Sequence, residues 1–186
     1  MINFKKIQIR LVVISISLAT MLAANAQAAQ QYLTAEQFIA EIFQAGSEKT
    51  TPKQDVLWVN REIASQAEKI LGHAPNQLRQ RYWKVGGKSV WIFDEIGKEE
   101  PITAGFVVSD GKLSQARILT YRESRGGEVR YPAFLKQYQG LELQPDYHLN
   151  RNIDGISGDT LSVNAMNRMA RLALYFDRMS QVEKSN

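Results

Sequence analysis

The sequence contains no cysteine. That absence excludes disulfides, iron–sulfur clusters and thioether-attached haem, so stability must come from a packed core and any redox chemistry from a cofactor held by other residues. Histidine is scarce: His73 and His148 lie far apart without a cluster of partner ligands, so no metal site is assigned. No G-x-G-x-x-G run marks a nicotinamide-binding turn. After Arg10 no Lys/Arg run of the kind that tracks a phosphate backbone occurs, and nucleic acid is excluded as a partner. Internal repeats and low-complexity blocks are also lacking.

What is present begins with an export signature. Lys5, Lys6 and Arg10 precede the apolar run Leu11 to Leu22, and Ala24-Asn25-Ala26 or Ala26-Gln27-Ala28 supplies a small-residue cleavage site. The run is shorter than the roughly 20 apolar residues of a spanning helix, which favours a cleaved signal over residues 1–29 rather than a retained anchor. Cleavage removes three of the 23 basic residues and no acidic one, lowering the formal charge from +4 to about +1. The remainder is the size of one domain.

Thr34-Ala-Glu-Gln37 has capping-box spacing, and Phe38, Ile39, Ile42 and Phe43 follow at helical intervals. A second helix is expected from Val56 to Leu71, closed by Gly72 and Pro75. Both fall in an N-terminal helical part, residues 30–84. Ser89 to Ile96 is rich in β-branched and aromatic residues, and Ile102 to Ser109 faces Leu113 to Tyr121 across Asp110-Gly111, a pair suited to a type I′ turn. A charged, glycine-containing loop, Arg122 to Arg130, follows the strands. Phe134, Leu135 and Tyr138 then suggest a short helix before Gly140, and Leu161 to Phe176 form a long amphipathic helix expected to fray after Asp177. The plan is α+β: two helices, an antiparallel β-meander, a loop and a C-terminal helix. Trp58, Trp83 and Trp91 are expected in the core.

One place concentrates chemistry. Ser157-Gly158-Asp159-Thr160 stands at the start of the last helix, where unpaired N–H groups and the helix dipole favour an anion. The same residue types also serve simply as caps. Glu99 and Glu100, adjacent in a charged turn, read as solvated.

The segment Asp154-Gly-Ile-Ser-Gly-Asp-Thr-Leu-Ser162 resembles the flavinylation motif, D-x-x-S/T-G-A-T, of the FMN-binding domain family, which includes the flavin subunits of the Rnf and sodium-pumping NADH:quinone reductase complexes. The hairpin Ile102 to Tyr121 and the following Arg122-Glu-Ser-Arg-Gly-Gly127 are similar to the family's strand pair and its glutamate-and-glycine loop, so an FMN-binding domain is expected over residues 85–180. The resemblance implies FMN as cofactor, joined through its phosphate to Thr160 by a flavin transferase that uses FAD as donor. It implies that Ser157, Gly158, Asp159, Leu161 and Ser162 surround the phosphate. It places Glu123, Gly126 and Gly127 against the flavin ring, with Arg122, Arg130 and Tyr131 as further contacts. Asp159 departs from the family's usual alanine and is expected to point outward, where water screens it from the phosphate.

The implied function is an exported, periplasmic or otherwise extracytoplasmic electron carrier, free or membrane-associated, that works with a membrane-bound reductase or electron-transport complex. The rival readings are a flavin-dependent reductase acting on a small acceptor, and an exported binding module without flavin.

Overall fold

The computed structural model describes residues 30–44, 52–85, 87–124 and 127–183. The expected signal peptide over 1–29, with its cleavage sites, lies outside them, as do Arg125 and Gly126 of the charged loop. Among the described residues no helix is long and apolar enough to cross a membrane.

Six antiparallel strands form one sheet: β1 (Gln30–Gln31), β2 (Lys53–Trp58), β3 (Arg79–Val85), β4 (Lys88–Ile96), β5 (Pro101–Ser109) and β6 (Lys112–Tyr121), in the order β1-β6-β5-β4-β3-β2. Helix α1 (Ala35–Gln44) covers one face. Helices α2 (Arg61–Leu71) and α4 (Thr160–Val182) cover the other, with the short α3 (Pro132–Leu135) and its flanking turns. The α+β plan with its meander and long final helix is the observed architecture.

Strand alternation divides the core in two. On β4, Val90 and Ile92 face α1 while Trp91 and Phe93 face α4. Phe38 of α1 lies so close over β5 that a Cβ on Gly105 would stand 2.3 Å from its ring. The α4 side is the larger core, with Tyr82 stacked on Trp91 at 4.5 Å and Phe176 tilted against Trp91 at 6.0 Å.

Local signals explain most element boundaries. The Thr34–Gln37 capping box forms in both directions: Gln37 N–H donates to Thr34 Oγ1 at 3.1 Å and Thr34 N–H to Gln37 Oε1 at 2.8 Å. Asp110 and Gly111 both adopt positive φ, 52° and 74°, as the tight hairpin requires.

Three sequence expectations need correction. Val56 and Leu57 belong to strand β2, not to a helix: Leu57 and Val59 are buried while Trp58 between them is exposed, the period of a strand. Helix α2 starts only at Arg61, where Asn60 Oδ1 accepts the Ile63 N–H at 2.9 Å. Residues 30–84 therefore contribute β1, β2 and β3 to the sheet as well as two helices. Trp58 is outside the core, 58% exposed, with the Arg79 guanidinium 4.9 Å from its ring centroid. Helix α4 does not fray after Asp177 but runs to Val182. Buried Asp177 anchors that last stretch, accepting from Ser89 Oγ at 2.5 Å and from Gln181 Nε2 at 2.8 Å.

Candidate functional site at the start of the long helix

Helix α4 begins on Thr160 itself. Gly158 has φ +84°, a left-handed conformation that a side chain would strain, and the turn is closed by Asp159 N–H donating to Ile156 O at 3.0 Å. The Asp159 carbonyl then accepts the Val163 N–H at 3.1 Å, the first bond of the helix. Ser157, Gly158 and Thr160 are exposed, and Leu161 is half exposed. A Cβ on Gly155 or Gly158 would meet nothing within 4 Å, so the space beside both glycines is open.

Among the described residues no side chain caps this helix. Asp159 holds the N-cap position with φ −125° and ψ 26°, yet makes no capping bond. The simple capping explanation for this cluster of hydroxyls and carboxylate does not hold in the folded chain, and the first-turn N–H groups keep their capacity for an anion.

Asp159 also corrects an expectation. It does not point outward: it is 6% exposed, and its Oδ2 is shielded from water without a hydrogen-bond partner. Burial pushes the carboxyl pKa up. The Ser162 hydroxyl and Val129 N–H pull it back, while the Glu128 and Glu123 carboxylates raise it further.

Two neighbours complete the buried side. Ser162 is 1% exposed and its Oγ lies 3.5 Å from the Tyr121 hydroxyl at the end of β6. Burial raises the Tyr121 pKa, partly offset by Ser162, and the Asp159, Glu123 and Glu128 charges add to the rise. Tyr121 and Val129 went unrecognised in the sequence, because nothing local distinguishes a strand-end tyrosine from a core one.

The charged loop is largely occupied with its own architecture. Glu123 Oε1 accepts the backbone N–H groups of Lys98, Glu99 and Glu100 at 2.5, 2.8 and 3.1 Å, tying the loop to the β4–β5 turn. Gly97 is required there, since a Cβ would stand 2.8 Å from that oxygen. Arg122 Nη1 donates to Pro101 O at 2.8 Å and to Thr103 Oγ1 at 3.0 Å. Arg130 Nη1 donates to Tyr32 OH at 2.9 Å and lies against the Tyr32 and Tyr131 rings. Gly127 accommodates Arg130, which a Cβ would approach to 2.8 Å; Tyr131 is half exposed. Electrostatics thus couple Glu123 and Glu128 to Asp159, while Arg122 reaches towards β5 and Arg130 towards the segment after β1.

Residues 97–175 match the family described as the FMN-binding domain. That match spans 79 of the 186 residues. It covers the β4–β5 turn, the hairpin, the charged loop and α4 through Tyr175, so the sequence-predicted site residues from Arg122 to Ser162 lie within it. The chain also resembles the crystal structure of NqrC from Shewanella oneidensis, with a TM-score of 0.53 at 13% identity over 80% of this chain and 90% of that one, a likeness of fold. No curated protein matches.

FMN is the cofactor of this domain, and when bound it supplies one- or two-electron transfer. The residues fit such a group. A free hydroxyl at Thr160, open space beside Gly155 and Gly158, and the uncapped start of a 23-residue helix suit a phosphate.

Proposed function

We propose that this chain is an exported flavoprotein that carries FMN covalently, through a phosphoester on Thr160, and passes electrons outside the cytoplasm to or from a membrane-bound reductase or electron-transport complex. The observation that carries the reading is the exposure of Thr160 as the first residue of an uncapped long helix, within the motif Asp154 to Thr160.

The chain's own residues supply three things. The Thr160 hydroxyl is the acceptor, and the turn at Gly158 holds it out for a flavin transferase using FAD. The first-turn N–H groups and the helix dipole hold the single negative charge of the resulting phosphodiester, worth roughly 0.3–1 kcal/mol from the dipole. Tyr121 and Ser162 line the buried side, and the Glu123 clamp fixes the loop beside it. Attachment suits a compartment where free flavin is scarce, since a reversibly held cofactor would be lost by mass action. The apolar segment Leu11 to Leu22 and the small residues after it support export.

The test is to co-express the chain with a flavin transferase in an exporting host and denature the purified protein. Flavin should stay with the parent and with Thr160→Ser, and be absent from Thr160→Ala. Equal flavin on the alanine variant would place the attachment elsewhere.

A further inference from the structure

A second feature lies beside the flavin site but is not part of the motif. Between α2, α4 and the loop 148–153 is a cavity of about 410 Å³. Four cationic side chains line it, Lys69 from α2, Arg168 and Arg171 from α4 and Arg151 from the loop, together with the amides of Asn152 and Asn164. No aspartate or glutamate is among its lining residues.

The cations are incompletely matched. Among the described residues Lys69 has no ion-pair or hydrogen-bond partner. Among the described residues Arg151 Nη2 and Arg171 Nε donate only to the carbonyls of Gln137 and Tyr147, at 2.9 and 2.6 Å. Burial lowers the Arg171 pKa, with Asp146 pulling the other way. Arg168 pairs with Glu95 through Nη2 at 2.8 Å, but its Nε is shielded from water and unpartnered. The C-terminal end of α2 also faces the cavity, where its Glu68 carbonyl is already taken by the Gly72 N–H. A concave site of this size with several forked donors, of which only Arg168 is paired with a carboxylate among the described residues, is complementary to anionic oxygens.

We propose that this cavity binds a small molecule bearing two or more oxyanion groups, carboxylate or phosphate. Asn164 lies one helical turn from Thr160 on the same face of α4, so the ligand sits next to the flavin anchor without sharing it. Four positive charges in one concavity favour a multivalent anion over a monovalent one.

Calorimetric titration tests this on the full chain in two forms, flavin-bearing and Thr160→Ala, so the result stands whether or not flavin attachment occurs. The probes are pyrophosphate and citrate, which distinguish phosphate from carboxylate, at constant ionic strength. The expected result is saturable one-to-one binding of at least one probe to both forms. Lys69→Glu and Asn164→Asp, both at exposed positions, should each weaken it by about tenfold or more with melting temperature little changed. Lys88→Glu, away from the cavity, should leave it intact. Absence of saturable binding, or binding indifferent to both cavity variants, would overturn the proposal. So would binding confined to the Thr160→Ala form, because the cations would then belong to the flavin's own site.

Discussion

Asp159 and Thr160 are adjacent at the helix start, yet one is buried and the other exposed. The carboxyl is 6% exposed and faces Ser162 and the charged loop, whereas Thr160 is exposed. A carboxylate beside a modification site would ordinarily repel an incoming phosphate. Here it is buried against Ser162 and Val129.

Two consequences follow for Asp159. Flavin attachment to Asp159→Ala should be at least as complete as to the parent, measured by the ratio of flavin absorbance to protein; a large loss would show that the carboxyl serves the acceptor.

Its pKa is raised in the folded chain, so the native state binds the extra proton, and stability falls as pH rises from the ordinary carboxylate value near ~3.9 through the raised value. Asp159→Asn mimics the protonated form. It should be more stable than the parent at neutral pH, by about 1 kcal/mol, with the difference vanishing in acid. Urea denaturation across this pH range measures it, and a less stable asparagine variant at neutral pH would contradict it.

Glu123 has a structural task that its loop position alone did not reveal. Glu123→Ala frees three backbone N–H groups in the β4–β5 turn, one of them at Lys98. Because the turn is solvated, water replaces much of what is lost, and the expected cost is about 1 kcal/mol, read by denaturant titration. Glu123→Gln, which keeps an acceptor, should cost less.

Glu95 is buried against both Arg168 and His73, at 2.8 and 3.0 Å. Glu95→Ala leaves the Arg168 guanidinium without its carboxylate and should destabilise by about 3 kcal/mol. His73 adds a pH dependence. A hydrogen bond to the Ala74 carbonyl raises its pKa, burial opposes this and Glu95 adds to the rise. Its stabilising contribution is fully present below the ordinary histidine value of ~6.5 and is lost as pH rises through the raised one. His73→Gln should flatten the stability profile in that window.

Gly105 permits the close seat of Phe38. Gly105→Ala pushes a methyl into that ring and should cost about 1–3 kcal/mol, with α1 displaced from the sheet. A neutral result would mean that α1 packs loosely.

Much of this was legible in sequence because the signals were local. The capping box at Thr34, the Asp110-Gly111 turn and the apolar face of α4 each fix their element within a few residues. Strand β2 was not, because Val56, Leu57 and Val59 continue smoothly into the helical pattern of Ile63 and Ala67, and only pairing with β3 reveals the switch of period. At the site, Thr160 and its glycine turn could be read from the motif. The burial of Asp159, the approach of Tyr121 to Ser162, and the use of Glu123 Oε1 as a turn clamp depend on segments tens of residues apart. The cationic cavity illustrates the same limit: Asn164, Arg168 and Arg171 share a face of α4, but Lys69 and Arg151 join them only by folding.

Covalent FMN on Thr160 is measured by intact mass spectrometry of the exported chain made with a flavin transferase, followed by peptide mapping. The expected product is a mature chain heavier by one FMN less one water, with the addition on the peptide containing Thr160. An unmodified mass from cells in which the transferase is active, or an addition on another peptide, would contradict it.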